Sequence, residues 1–295
     1  MLFRSASLAV MENGELLFFK KASEYSGVPN DFFLNAGLIA DAKAVAKPDV
    51  IGFFENPYIK KYRQLISGQI KIALDPELLP KTYLQRVGFA KCPIEHHTHH
   101  KSHVAYAKYS LSLNDAIVLV ADAIGEMDTV SIWRVDGDKL IKLYNIKYPA
   151  SLGLFYSAFT KLAGMTPVRD EGKFMQLSTL GNPDMCKNLV APYLYKNVHL
   201  GVKGLDISDY HTADLAAAVQ SVFQEELLRL VTLCQKYSGG SRIVFTGGCA
   251  YNKLAVEYIQ KQFSSFCVVD NPGDAFSSIG AAYLTYLKTK PNEKY

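Results

Sequence analysis

The pattern of apolar and polar residues divides the chain into short strands and amphipathic helices. Two apolar runs on either side of the turn-forming pair Asn13–Gly14 predict a β-hairpin near the start. The predicted strands are Ser5–Val10, Glu15–Lys20, Asp49–Phe54, Ala116–Ala121, Thr129–Val135, Leu140–Lys147, Ile243–Phe245 and Cys267–Val269. The predicted helices are Asp31–Ala46, Asn56–Gly68, a segment from the histidines after Ile94 to about Ser110, Ser151–Ala163, Ala213–Lys236, Ala250–Phe263 and Asp274–Leu287. The segment Lys187–Lys203 has some strand character and is left open.

This order of elements predicts an α/β protein with mixed sheets in two similar halves. We expect an N-terminal lobe over residues 1–112 and a C-terminal lobe over residues 113–295. In α/β folds of this kind, ligands bind at the carboxyl ends of strands. Functional side chains are therefore expected where the predicted strands end.

Composition narrows the class of protein. Hydrophobic residues make up 49% of the chain and charged residues 20%, which excludes a disordered or fibrous protein. The net charge of +4 is too small to indicate a nucleic-acid or anionic-membrane surface. The five scattered cysteines predict reduced thiols, and no apolar run reaches the roughly 18 residues of a membrane span. Without a signal peptide, these features predict a cytoplasmic protein.

Histidines are concentrated in one short block. Five of the seven lie between His96 and His103. On a helix, His99 and His103 lie one turn apart on the same face and can share a metal ion. His96 and His100 form a second such pair on a rotated face, so only one pair can line a given cavity. Neutral imidazole binds zinc, iron, copper and nickel, so the block can be a metal site. The alternative interpretation is a polar helix start whose histidines lie in solvent.

Two aspartates and a glycine pair follow predicted strands. Asp122 comes directly after Ala121, where it can complete a set of two histidines and a carboxylate or can be an ordinary turn residue. Asp274 precedes the final helix and can serve as its N-cap, a role compatible with metal binding. The pair Gly247–Gly248 lies between a strand and a helix, where it favours either anion binding or close packing.

Taken together, these segments resemble the O-carbamoyltransferases of the nodulation and antibiotic-tailoring type. The resemblance extends from about Ser5 to Leu287, and Ser151–Thr160 is its most specific part. The similar segments, in order, are His99–Ala107, Asp122 with Gly125–Glu126, Pro149–Thr160, Glu171–Met175, Gly247–Asn252 and Gly273–Ala275.

The resemblance implies an actin-like ATPase fold, a ribonuclease H-like duplicated fold with two lobes and mixed sheets. It also implies a divalent metal, Fe2+ first and Zn2+ or Mn2+ as alternatives. The implied metal ligands are His99, His103, Asp122 and Asp274.

The same resemblance implies a carbamoyl-adenylate made from ATP. Gly247, Gly248 and Asn252 are expected to hold its phosphate or ribose, and Glu171 and Lys173 its nucleoside. The carbamoyl group would pass to a substrate hydroxyl. His100 is the candidate for accepting the hydroxyl proton.

Three departures from the family pattern affect the predicted function. Members of this type carry a YrdC-like module that makes carbamoyl-adenylate, and none is predicted after Leu287. Phe3 and Arg4 stand where the family has a His-Asp pair, and Gln176 and its neighbours replace the glycines that follow the family's Lys-x-Met. We therefore expect a carbamoyltransferase module that receives carbamoyl-adenylate from a separate YrdC-like protein and uses a small-molecule hydroxyl acceptor.

Two alternatives are left open. One is a non-catalytic nucleotide- or metal-binding subunit, which the missing His-Asp pair and module favour. The other is an enzyme resembling the tRNA threonylcarbamoyl transferases, which the weak basic balance and the Ser151–Thr160 segment disfavour. A zinc hydrolase is less expected because no H-E-x-x-H spacing occurs. Neither a membrane nor a nucleic acid is an expected partner, and a homodimer is left open.

Overall fold

A computed structural model describes residues 5–89 and 92–290 of the chain. Phe3 and Arg4, where the sequence departs from the family's His-Asp pair, lie outside the described residues. The strands are β1 (Ser7–Glu12), β2 (Glu15–Lys21), β3 (Ile51–Phe53), β4 (Ile94–His96), β5 (Asp115–Gly125), β6 (Asp128–Asp136), β7 (Lys139–Lys147), β8 (Arg242–Thr246) and β9 (Phe266–Val268).

Helices of very different lengths connect these strands. The α-helices are α1 (Ser23–Ser26), α2 (Ala36–Val45), α3 (Pro57–Ile66), α4 (Ile70–Leu74), α5 (Pro80–Leu84), α6 (His99–Leu111), α7 (Leu152–Leu162), α8 (Glu171–Leu177), α9 (Lys187–Val190), α10 (Thr212–Ser238), α11 (Lys253–Gln260) and α12 (Ser277–Thr289). Short 3-10 segments are Pro76–Leu78, Ser178–Leu180, Pro183–Met185, Ala191–Tyr193, Gly248–Tyr251 and Asp274–Phe276, and Gln85–Phe89 is a π-helical segment. Among the described residues, no helix has both the length and the apolar character needed to cross a membrane.

The chain forms two compact units. Unit 1 contains the described residues of Met1–Leu113, Gly125–Met127 and Gly273–Tyr295, and unit 2 contains Asn114–Ile124 and Asp128–Pro272. The predicted boundary near residue 113 lies at the end of the first long segment. The final segment from Gly273, however, belongs to unit 1 and not to the C-terminal lobe of the prediction. The reason is that α12 packs against strands and a helix of unit 1.

Unit 1 holds two separate two-stranded sheets and the histidine helix. Strands β1 and β2 pair antiparallel, while β3 and β4 pair parallel. The hairpin turn has the predicted form, because Asn13 and Gly14 both adopt positive φ angles of 50° and 86°. Helices α6 and α12 pack very closely, since a Cβ on Gly280 would lie 1.9 Å from the Ser102 carbonyl oxygen.

Unit 2 is built on one five-stranded mixed sheet with the order β7-β6-β5-β8-β9. Its central strand β5 is buried along almost its whole length, and β8 pairs with it in parallel. Helices α7 and α10 cover the sheet with large apolar side chains such as Phe155, Phe159 and Phe223, all essentially inaccessible to solvent. The predicted strands and helices of this half lie close to their observed positions.

Three predictions about elements differ from the structure. Strand β4 at Ile94–His96 was not predicted, because three residues before a helix are too few for a clear alternation. The helix expected over Asp31–Ala46 begins only at Ala36, where the Asn35 side chain accepts a hydrogen bond from the Leu38 amide. The segment Lys187–Lys203 forms short helical turns and contains no strand.

Candidate metal centre

The histidine helix α6 begins on an unusual cap. The Thr98 side chain makes no capping hydrogen bond. Instead the Glu126 carboxylate accepts hydrogen bonds from the His99 amide, at 3.1 and 3.0 Å, and from the Asn56 amide at 2.5 Å. A carboxylate at a helix N-terminus also matches the helix dipole. This cap fixes where the first turn, and with it His99, begins.

Glu126 has a strongly perturbed pKa. The pKa of this carboxyl is raised from 4.5 to about 7, first by burial and second by the neighbouring Glu55 carboxylate. The charge of His99 and the two amide hydrogen bonds act in the opposite direction. Burial therefore outweighs the cap interactions at this site.

Three predicted ligands form a tight triangle inside unit 1. The Nε2 atoms of His99 and His103 lie 3.2 Å apart. Each of them lies 3.4 Å from Oδ1 of Asp274. His99 and His103 are buried and the Asp274 side chain is only 12% exposed. Two imidazoles one turn apart on α6 and one carboxylate thus present a single atom each to the same point.

The triangle fits a divalent metal ion. Metal–nitrogen and metal–oxygen bonds in such sites measure about 2.0–2.2 Å, which places neighbouring ligand atoms about 3.0–3.5 Å apart in octahedral or tetrahedral geometry. The three observed separations of 3.2, 3.4 and 3.4 Å lie in that range. Two histidines with carboxylate also form a donor set typical of iron, zinc or manganese. The structure therefore contains a group of residues able to hold a metal.

Asp274 reaches this site because of how α12 begins. It starts the 3-10 segment Asp274–Phe276 that leads into α12, and the N-cap residue of α12 is Phe276. The N-cap role predicted for it is therefore not observed. The close packing of α12 against α6 at Gly280 sets the distance between the aspartate and the histidines.

The other histidines of the block have distinct surroundings. His97 is 4% exposed, and its Nε2 lies 2.8 Å from the Thr285 hydroxyl. Burial lowers its pKa to about 4. His96 is half-buried on β4, where burial lowers its pKa as well. His100 is buried next to His99, and both rings pack on Gly125, whose missing Cβ would lie within 2.8 Å of each.

Asp122 lies in unit 2, at a point where three segments meet. Its Oδ1 accepts a hydrogen bond from the Gly248 amide at 3.0 Å, and a Cβ on Gly248 would approach the same oxygen to 2.7 Å. Ser151 donates a hydrogen bond to the Ala123 carbonyl oxygen at 2.6 Å. Gly247 has φ +94°, and a Cβ there would lie 2.3 Å from the Ala121 carbonyl oxygen. The glycine pair therefore lets the turn approach the end of β5.

The residues predicted to hold a nucleotide also lie in unit 2. The Asn252 side chain caps α11 by accepting from the Ala255 amide at 3.0 Å, and exchanges two hydrogen bonds with Gln220. The Tyr156 hydroxyl donates to the same Gln220 at 2.9 Å. The sequence did not indicate Gln220 as a partner of Asn252, because Gln220 looks like one more residue of an amphipathic helix.

Glu171 and Lys173 have separate partners. Glu171 opens α8 and accepts hydrogen bonds from the Ser157 hydroxyl at 2.8 Å and the Val168 amide at 2.6 Å. Lys173 forms an ion pair with Asp170 at 2.9 Å and is largely exposed. The polar contacts of Glu171 tie α8 to α7, the most specific segment of the predicted resemblance. Nucleotide binding by these residues stays a prediction.

The fold defines the broad class of this protein. Component A of the (R)-2-hydroxyglutaryl-CoA dehydratase of Acidaminococcus fermentans superposes over 97% of this chain and 95% of its own, with a TM-score of 0.53 and 11% identity. The chain has the actin-like ATPase fold, as predicted. HypF of T. kodakarensis matches 70% of this chain and 38% of its own, at 13% identity and a TM-score of 0.43.

Sequence comparison defines the family. Residues 50–199, half of the chain, match the family "Carbamoyltransferase N-terminus", and the chain belongs to that family. The matched range includes His99, His103 and Asp122, together with Pro149–Thr160. The predicted resemblance is confirmed at the level of the family.

A comparison with one curated relative gives the sequence identity and the share of each chain that the alignment covers. The "Uncharacterized protein sll1178" of Synechocystis sp. is 27% identical over 299 residues. The alignment covers 83% of this chain and 48% of that protein. The chain thus spans about half the length of the curated relative it matches.

Proposed function

We propose that this chain is a carbamoyltransferase module that transfers a carbamoyl group from carbamoyl-adenylate to a substrate hydroxyl at a divalent metal site, with Fe2+ the preferred ion. The observation that carries the proposal is the triangle of His99, His103 and Asp274 within a member of the carbamoyltransferase N-terminus family. Its two histidines are buried, its aspartate side chain is only 12% exposed, and the three donor atoms are spaced as metal ligands are.

The residues near the triangle would either bind the metal or position its ligands. His99, His103 and Asp274 hold the metal, and Asp122 stays the predicted fourth ligand. A bound divalent metal supplies Lewis acidity, which neutralises phosphate charge and polarises a carbonyl. The buried helix cap of Glu126 keeps both histidines in place by fixing the start of α6.

The transfer itself is a simple exchange of bonds. The acceptor oxygen bonds to the carbamoyl carbon, the bond from that carbon to the phosphate oxygen breaks, and AMP leaves. His100 takes the hydroxyl proton as general base. Gly247, Gly248 and Asn252 bind the phosphate or ribose, while Glu171 and Lys173 bind the nucleoside. ATP enters through a separate YrdC-like protein that makes the carbamoyl-adenylate, and the setting is the cytoplasm.

Metal analysis tests the first half of the proposal. The double variant His99→Ala with His103→Ala should lose at least about nine-tenths of the bound metal, measured by mass spectrometry of the purified protein after loading with Fe2+, Zn2+ or Mn2+. His96→Ala with His211→Ala is the matched control, since it removes two histidines outside the triangle. Equal metal content in both double variants would show that the ligand assignment is wrong.

A transfer assay tests the second half. The metal-loaded protein is given carbamoyl-adenylate with a panel of polyols and sugars, and carbamoylated product and AMP are quantified. We expect both products from the wild type, and a loss of at least about a hundredfold in His100→Ala, because general-base catalysis typically contributes that much. Metal binding without turnover across the panel would instead favour the non-catalytic subunit.

A further inference from the structure

Helix α3 places its polar and apolar sides in the reverse of the usual order. In a helix at the surface of a globular protein, apolar side chains normally face the core and charged side chains face solvent. On α3, however, Arg63 and Gln64 are buried, at 8% and 4% exposure. Tyr58 and Tyr62, by contrast, are 73% and 59% exposed. The side of this helix that would usually join a core therefore faces solvent.

The exposed side chains of α3 lie along one side of the helix. Tyr58, Tyr62 and Leu65 follow the i, i+4, i+7 spacing of a single helical face, and two isoleucines flank them. Helix α4, which packs against α3, adds two exposed aliphatic residues one turn apart. We define the α3–α4 face by these seven residues: Tyr58, Ile59, Tyr62, Leu65, Ile66, Ile70 and Leu74.

Specific contacts on the inner side hold the two helices in this orientation. Lys60 forms an ion pair with the buried Glu55. The Lys61 ammonium donates hydrogen bonds to the carbonyl oxygens of Ala73 and Asp75, at 2.7 and 2.8 Å, and so ties the end of α4 to α3. Turning α3 to bury its apolar side would break these contacts. The outward position of the tyrosines is therefore built into unit 1.

The α3–α4 face is large enough for a specific interface. Its seven side chains range from 36% to 73% exposed. Tyrosine and aliphatic side chains with that exposure offer an area on the order of several hundred Å², and each side of a standard interface buries about 800 Å² with its rim included. Apolar patches of this size typically mark a contact surface.

The charge of the face indicates what covers it. Of the charged residues on α3 and α4, which the structure describes in full, only Lys71 is exposed. An acidic protein or an anionic membrane would call for several exposed basic side chains. A contact about a two-fold axis instead requires a face complementary to itself, as an almost uncharged apolar face is. Homodimer interfaces are also the more apolar ones, and interface cores are rich in tyrosine and poor in lysine.

We propose that the α3–α4 face is the contact surface between two copies of this chain related by a two-fold axis. In such a contact, α3 and α4 of one copy pack on α3 and α4 of the other, so both copies bury the same side chains. The long side chain of Lys71 can keep its ammonium in water at the edge. The contact requires neither a metal ion nor carbamoyl transfer, so it stands apart from the proposed function.

The mass of the full chain in solution tests the proposal. Sedimentation velocity should give twice the mass of one chain, with a dissociation constant of about 1 μM or below. A protein that stays monomeric up to about 100 μM, a hundredfold above that constant, would leave the α3–α4 face to a different occupant, and the proposal would be wrong.

Charge variants test whether the copies meet through this face. Tyr62→Glu and Leu74→Glu each place a carboxylate in the apolar contact, where an unpaired charge is costly to bury. Each should weaken the dimer at least about a hundredfold. Leu180→Glu in unit 2 is the matched control, because Leu180 is 79% exposed, and it should keep the wild-type dissociation constant. Circular dichroism checks that each variant is folded. If both α3–α4 variants dimerise as tightly as the control, the copies meet elsewhere and the proposal is overturned.

A mixture of opposite charges tests whether the face contacts itself. Tyr62→Glu and Tyr62→Lys should each be largely monomeric, because like charges then lie on both sides of the contact. Their equimolar mixture should associate at least about tenfold more tightly than either variant alone, since the charges are then complementary. A mixture no tighter than the single variants would mean that the face contacts a different surface, and the two-fold arrangement would be wrong.

Discussion

The two units differ in how they pair their strands and in how deeply they bury them. In unit 2, β5 and β8 are almost wholly buried, and the core includes large aromatic residues such as Phe155 and Phe159. In unit 1, the strands β1, β3 and β4 are only half-buried, although this unit contains the ligand triangle. Burial thus concentrates in unit 2, while in unit 1 the closest packing lies between α6 and α12.

The largest expected effect is a loss of stability on truncating a core residue of unit 2, compared with the same kind of change in unit 1. Phe155→Ala should lower the free energy of unfolding by about 3–5 kcal/mol, because it removes a fully buried ring and leaves a cavity. Val10→Ala on the half-buried β1 should cost about 1 kcal/mol. Urea unfolding followed by circular dichroism measures both. Similar losses at the two positions would contradict the contrast in burial.

The next test concerns the contact between α6 and α12. Gly280→Ala should cost about 1–3 kcal/mol, because its Cβ would lie 1.9 Å from the Ser102 carbonyl oxygen and the helices must separate. The same shift moves Asp274 away from the histidines, so metal content should fall as well. Gly172→Ala on α8 is the matched control. Nothing lies within 4 Å of its added Cβ, so it should be neutral or slightly stabilising. Unchanged stability and metal content in Gly280→Ala would mean that this contact does not position the site.

The free energy of unfolding should depend on pH because of Glu126 in unit 1. Its pKa is about 7 in the folded protein, against an ordinary value of 4.5 for a glutamate carboxyl. Between these values the folded state holds a proton that the unfolded state has lost, so stability falls as pH rises from about 4.5 to about 7. The expected size is on the order of 1–3 kcal/mol.

Glu126→Gln tests this dependence in protein treated with a chelator. The variant should lose most of the fall in stability between pH 5 and pH 8, as measured by urea unfolding. Glu225→Gln on the exposed face of α10 is the control and should keep the wild-type slope. A wild-type slope in both variants would place the titrating group elsewhere.

Sequence patterns predicted unit 2 better than unit 1, for physical reasons. Buried strands such as β5 give continuous apolar runs, and the i,i+4 spacing of His99 and His103 identified two atoms that indeed lie together. The spacing could not show that His97 is buried, because that depends on Thr285 nearly two hundred residues later. Nor could it reveal the Glu126 cap, since a carboxylate that caps a helix of a distant segment leaves no local pattern.

The smallest expected effect concerns surface charge in unit 1. Glu24 forms an ion pair with Lys20 at 3.1 Å, and a hydrogen bond from the Lys21 amide is the main cause of its lowered pKa. Both side chains are more than a third exposed, so Glu24→Gln should cost no more than about 0.5 kcal/mol. Urea unfolding at low and high salt measures this cost, with Lys20→Gln as the paired variant. A loss above about 1 kcal/mol that disappears in salt would mean that charge, and not burial, holds the β1–β2 hairpin. The contrast between the two units would then reflect electrostatics as much as packing.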